Sequence, residues 1–110
     1  MSKISIVVPC YNEQESLHFF YKEITKTASE IPETEFEFLF IDDGSSDDTL
    51  DILKQLRHHD NRVRYLSFSR NFGKEAAIYA GLENSAGDYT VIIDADLQDP
   101  PCLIKEMYKS

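Results

Sequence analysis

Cysteine is scarce in this chain: two among 110 residues, Cys10 and Cys102, far apart and without C-x-x-C spacing. That excludes a disulfide framework and leaves too few soft ligands for a zinc site. Both read as ordinary thiols, Cys10 on a loop and Cys102 near a helix start. Positive charge is scarce as well. Lys and Arg number 11 against 20 Asp and Glu, a formal charge of −9, which argues against a nucleic-acid-binding face. No apolar run reaches the roughly 18 residues needed to cross a membrane. The N-terminus, Met1-Ser2-Lys3-Ile4-Ser5, lacks a signal-peptide pattern, so a cytoplasmic start is expected. There is no internal repeat, linker or low-complexity segment. No G-x-G-x-x-G follows the first apolar run, which excludes a Rossmann dehydrogenase.

What the chain does have is a 42% hydrophobic fraction, enough for one small domain with a core, and a regular alternation of short apolar runs with amphipathic stretches. Ile4 to Val8 reads as a buried strand ending at Pro9. Asn12 is placed to cap a helix, with Glu15 returning the bond, and Leu17, Phe20, Tyr21, Ile24 and Ala28 follow at helical spacing until Ile31-Pro32. Phe36 to Ile41 is a second strand. Leu50, Leu53 and Leu56 stripe a second helix. Val63 to Phe68 is a third strand, and Lys74 to Ser85 a third helix with Gly87 as its C-terminal cap. Tyr89 to Ile93 is a fourth strand, and Pro100-Pro101 opens a last helix over Cys102 to Tyr108. This βαβαβαβα order predicts an α/β fold, a Rossmann-like parallel sheet flanked by helices on both faces.

In such sheets ligands bind beyond the carboxyl ends of the strands. All four ends here carry polar, chemically capable residues: Pro9-Cys10-Tyr11-Asn12-Glu13, Asp42-Asp43-Gly44-Ser45, Ser69-Arg70-Asn71 with Gly73-Lys74, and Asp94-Ala95-Asp96-Leu97-Gln98. Asp94 and Asp96 are i and i+2, so both point to one side. Two carboxylates so placed repel unless a cation lies between them. Their hard oxygens suit Mg²⁺ or Mn²⁺, with Gln98 one further step along. The plainer reading of Asp96 is a helix cap before Pro100-Pro101. Asp43 either accepts hydrogen bonds from a base or ribose or, with Asp42, shapes a turn in which Gly44 supplies the backbone angles. Arg70 and Lys74 either meet phosphate or balance the acids. His58 and His59 read as solvated loop residues. Magnesium or manganese would also reconcile an acidic chain with an anionic ligand.

At these residues the sequence resembles the family 2 glycosyltransferases. The resemblance rests on Ile6-Val7-Val8-Pro9-Cys10-Tyr11-Asn12-Glu13, Ile41-Asp42-Asp43-Gly44-Ser45-Ser46-Asp47, Ser69-Arg70-Asn71-Phe72-Gly73-Lys74 and Asp94-Ala95-Asp96-Leu97-Gln98-Asp99-Pro100-Pro101. It spans essentially the whole chain. The last motif is similar to that of the polyprenyl-phosphate branch, the dolichol-phosphate mannosyltransferases and bactoprenol glucosyltransferases.

The resemblance implies a GT-A nucleotide-diphospho-sugar transferase fold and an inverting, metal-dependent transfer from a UDP- or GDP-linked sugar to a polyprenyl phosphate or a saccharide. It implies that Pro9, Tyr11 and Glu13 line the nucleotide pocket and that Ile41 and Asp43 meet base and ribose. Asp94, Ala95 and Asp96 would hold the diphosphate, with Asp96 and Gln98 on the metal and Asp94 close by. Because members of this family are longer, residues 1–110 are expected to be the nucleotide-sugar-binding portion of a catalytic domain. The acceptor half and any contact with the inner face of the membrane would lie downstream, this portion alone would be inactive, and an exposed sheet edge would favour self-association. The competing readings are a response-regulator-like phosphoacceptor module and a non-catalytic nucleotide-binding or interaction fragment.

Overall fold

The structure, a computed structural model, describes residues 2–95. Strands and helices alternate as β1 (Ser2–Cys10), α1 (Leu17–Ser29), β2 (Thr34–Asp42), α2 (Thr49–His59), β3 (Val63–Ser67), α3 (Lys74–Asn84) and β4 (Tyr89–Ile92). The helix expected over Cys102 to Tyr108 lies outside the described residues. All strand pairings are parallel, in the order β3-β2-β1-β4. From β1 the chain steps outward to β2 and β3, then returns to lay β4 on the other side of β1. The winding direction therefore reverses between β1 and β4.

The central strands are apolar on both faces because both faces are covered. On one face Ile4, Ile6, Val8, Phe36, Phe38 and Phe40 pack with Leu17, Phe20 and Ile24 of α1 and Ile52, Leu53 and Leu56 of α2. On the other, Val7, Leu39 and Ile41 meet Ala77 of α3. Gly81 lets α3 lie close to the sheet, since a β-carbon there would fall 2.3 Å from a Val7 methyl. Burial of these side chains, at about 25 cal/mol per Å² of apolar surface, is the main driving force of the fold.

Several local expectations are corrected. The first helix begins at Leu17 after Ser16. Asn12 does not cap it; Asn12 adopts a φ of 53°, which Asn tolerates in turns, and its side chain serves another loop. Cys10 is no loop residue but the buried last residue of β1. In α2 the buried stripe is Thr49, Ile52, Leu53 and Leu56, while Leu50 is only half-buried. Gly87 does not close α3, which ends at Asn84, and its φ is not positive. It is small because β1 passes alongside: its N–H donates to Ser5 Oγ at 2.8 Å, and a β-carbon would lie 2.7 Å from that oxygen.

Candidate donor-binding cleft

Where β1 and β4 diverge at their carboxyl ends, the sheet leaves a cleft of about 330 Å³. Its walls come from four parts of the chain: Pro9 and Cys10 at the end of β1 with Tyr11 and Glu13 just beyond it, Asp43 after β2, Lys74 at the start of α3, and Asp94 with Ala95 after β4. The β1–β4 pairing continues one residue past the strand, Ile93 N–H donating to the Val7 carbonyl at 3.0 Å, so Asp94 emerges beside the end of β1. This is the winding reversal at which open α/β sheets bind ligands.

The β1–α1 and β2–α2 loops are stitched together. Asn12 N–H donates to Ser45 Oγ at 2.9 Å, and Asn12 Oδ1 accepts from Ser46 N–H at 2.9 Å. Glu13 N–H donates to Thr49 Oγ1 at 2.9 Å, and Asp48 N–H to Gln14 Oε1 at 3.0 Å. Asp42 Oδ1 accepts from Ser45 N–H at 3.1 Å, closing the turn. Backbone donors that would otherwise be unpaired are thereby satisfied, and one wall of the cleft becomes rigid.

Asp43 does the same for the neighbouring loop. Only 3% exposed, its carboxylate accepts from Phe72 N–H at 2.8 Å, Gly73 N–H at 3.0 Å and Asn71 Nδ2 at 3.2 Å. Gly44 makes this possible. Its φ is 72°, and a β-carbon would fall 2.2 Å from the Arg70 carbonyl carbon, so the two loops touch backbone to backbone.

Among the described residues Lys74 is the cation on the cleft lining, and it straddles Asp94, its Nζ 2.8 Å from Oδ1 and 2.9 Å from Oδ2. Arg70 is not on the lining. Its guanidinium stacks 4.6 Å from the centroid of the exposed Phe72 ring, which meets Phe68 edge-on at 5.6 Å. Cys10 is chemically quiet: burial, then the nearby Glu13, Asp42 and Asp94 carboxylates, push its thiol well above its ordinary value, so no thiolate nucleophile forms.

Of the residues expected at the site, Pro9, Tyr11, Glu13, Asp43, Lys74, Asp94 and Ala95 are brought together. Ile41 is not. Its side chain is fully buried against Val7, Leu39 and Ala77, on the core side of β2. Asp96 and Gln98 lie outside the described residues. His58 and His59 are exposed at the end of α2, ring against ring.

Among the described residues no group of three or more His, Cys, Asp or Glu side chains could hold a metal ion. Asp94 nonetheless offers two hard carboxylate oxygens, the donor type such a cation takes, and both face the Lys74 ammonium. Magnesium often takes only one or two carboxylates plus substrate phosphates.

The parallel sheet has its ligand cleft at the winding reversal, and the solved structures that superpose on it are glycosyltransferases, so the class is a GT-A nucleotide-sugar transferase fold. The glycosyl transferase family 2 model matches residues 5–110; the chain belongs to that family, which removes the phosphoacceptor-module reading. It is 49% identical over 98 residues to the bactoprenol glucosyl transferase of Shigella phage SfX, covering 89% of this chain and 32% of that one. It is 39% identical over 102 residues to the undecaprenyl-phosphate 4-deoxy-4-formamido-L-arabinose transferase of Proteus mirabilis (strain HI4320), covering 92% and 31%. A crystal structure of S. aureus TarS 1-349 in complex with UDP-GlcNAc superposes with a TM-score of 0.76 at 26% identity, covering 97% of this chain and 30% of that one. The chain spans about a third of the length of the curated relatives it matches.

Proposed function

We propose that this chain is the donor-binding portion of an inverting glycosyltransferase that moves a sugar from a nucleoside diphosphate to a polyprenyl phosphate. The observation that carries the reading is the convergence in one cleft of polar residues from four separate segments, with Asp94 at its floor. Likeness to relatives whose names specify bactoprenol and undecaprenyl phosphate supports the acceptor class.

Pro9, Tyr11 and Glu13 form the nucleotide wall, and Asp43 holds the loop that delivers Lys74. Asp94, Ala95 and Asp96 would hold the diphosphate; Asp94, Asp96 and Gln98 would hold Mg²⁺ or Mn²⁺. Such an ion supplies charge stabilisation for the leaving nucleoside diphosphate. A phosphate acceptor is already largely ionised near neutral pH, so the transfer needs no strong general base, whereas an alcohol acceptor would. The lipid acceptor places the full-length enzyme at the inner face of the membrane. No helix among the described residues is long and apolar enough to cross one.

Calorimetry with UDP-, GDP- and CDP-sugars in the presence of Mn²⁺ tests the reading. Binding of one of them, weakened by Asp94→Asn, is expected. A folded sample that binds none of the three sinks it.

A further inference from the structure

The Lys74–Asp94 pair is built unlike the other ion pairs near the sheet. Arg64 and Glu37 form a contact whose carboxylate is 5% exposed, whereas Lys74 is 60% and Asp94 24% exposed. Lys74 opens α3 directly after Gly73, and the Gly73 N–H is fixed on Asp43. The backbone is therefore held while the four-carbon stem and its ammonium can turn. Both Asp94 oxygens are engaged at once, so a second cation arriving at this carboxylate meets the Lys74 ammonium, and like charges at that separation repel. The other ionisable cleft-lining groups, Glu13 and Asp43 with the Cys10 thiol and Tyr11 phenol, carry no positive charge. Among the described residues, the positive partner for an anion that enters is Lys74.

We infer that Lys74 is a partner-exchanging residue, which neutralises Asp94 in the empty cleft, then releases it to a divalent cation and turns to the phosphate oxygens of the donor. The inference rests on the donor-cleft reading and adds a coupling to it. Freeing the ammonium favours the diphosphate, and holding the diphosphate keeps the ammonium off Asp94, so each ligand raises the affinity for the other.

Two variants of the full chain, Lys74→Met and Lys74→Arg, separate the possibilities. Mn²⁺ binding alone is counted by the electron paramagnetic resonance of the free ion. UDP, GDP and CDP binding is then measured at saturating Mn²⁺. Removing a partly exposed competing cation is expected to tighten Mn²⁺ binding roughly three- to fivefold in Lys74→Met. The same variant should lose about tenfold or more in nucleotide affinity, the scale of one charge-assisted phosphate contact. Lys74→Arg, which keeps the charge, should bind Mn²⁺ as the wild type does. A Lys74→Met variant whose Mn²⁺ affinity is unchanged or weaker, or whose nucleotide affinity is unchanged, overturns the exchange while leaving the donor cleft standing. A wild-type chain that binds none of UDP, GDP and CDP overturns both.

Discussion

Replacing Asp43 by alanine tests whether the cleft is a built structure or a chance gathering of loop residues. The carboxylate accepts two backbone N–H groups, from Phe72 at 2.8 Å and Gly73 at 3.0 Å, and one side-chain amide, from Asn71 at 3.2 Å. Hydrogen bonds to a charged group contribute about 1.5–3 kcal/mol each when nothing replaces them. Phe72 is half exposed at 51%, so water reaches part of this loop after truncation and the lower end of that range applies to the backbone donors. The long Asn71 contact adds little. Asp43→Ala should therefore cost about 2–3 kcal/mol. Asp43→Asn should cost about half as much, since one oxygen can keep Phe72 while the new NH₂ faces the Gly73 N–H, donor against donor. The assay is urea unfolding, read as a lower midpoint at unchanged slope, with amide hydrogen exchange at Phe72 and Gly73 as the local readout. A loss below about 0.5 kcal/mol for Asp43→Ala, well under a single charge-assisted bond, would refute the anchoring argument and return Asp43 to a pure ligand role.

Glu37 is the second expected weak point. Its carboxylate, inside β2, accepts from Ser5 Oγ at 2.6 Å, Ala86 N–H at 2.9 Å and Arg64 at 2.5 Å. Glu37→Ala should destabilise by about 3 kcal/mol in urea unfolding, near the low end for a broken buried pair because Arg64 can reach water; no measurable change would show the network to be dispensable. Acid stability follows Asp60. Burial alone would raise its carboxyl, but the Arg62 guanidinium and the Tyr21 hydroxyl outweigh it and hold it at about 2, against an ordinary 3.8. A depressed carboxylate stabilises the fold above its unfolded value and loses that contribution as pH falls through the folded one. Stability should thus drop by about 1 kcal/mol between roughly pH 4 and pH 2, after discounting for the half-exposed Arg62. Asp60→Asn should remove that part of the acid transition, and an identical pH profile in the variant would contradict the assignment.

The order of elements was legible because hydrophobic periodicity is a local signal. Every described strand and helix lies where the alternation of apolar runs and stripes puts it, within a few residues. What escaped was set by contacts distant in sequence. Asn12 followed by Glu15 has the form of a capping box, yet the partner that claims the Asn12 side chain is Ser46, across two elements. Glu37 sits inside what reads as an apolar run, and only the parallel register that sets Ser5 opposite it reveals why a carboxylate is tolerated there. Ile41 belongs to a strand buried on both faces, where period-two alternation disappears and the facing of a side chain cannot be read. Gly87 has the position of a helix cap, but what selects it is the passage of β1 alongside.

The acidic excess, unexpected in a chain proposed to bind a diphosphate, resolves into two kinds of carboxylate. Asp42, Asp43 and Asp47 each accept backbone N–H groups, from Ser45, from Phe72 and Gly73, and from Gln14 and Thr49 respectively. For Asp47 the Thr49 hydroxyl, together with the Thr49 and Gln14 N–H groups, outweighs burial and lowers its carboxyl. Such carboxylates are clamps: their lone pairs are committed to holding loops, and their charge is met by the partial positive charges of the donors. Asp94 is different. Its oxygens face the Lys74 ammonium and not backbone N–H groups. A carboxylate paired with a movable cation can change partners at small cost, because an exposed ion pair contributes only about 0–1 kcal/mol, whereas a carboxylate locked on amides cannot without unfolding its loop. The division explains how a loop as acidic as Asp42-Asp43-Gly44-Ser45-Ser46-Asp47-Asp48 can border an anion site. Its acids are mostly spent on architecture, whereas Asp94, just past the end of β4, is paired with the Lys74 ammonium.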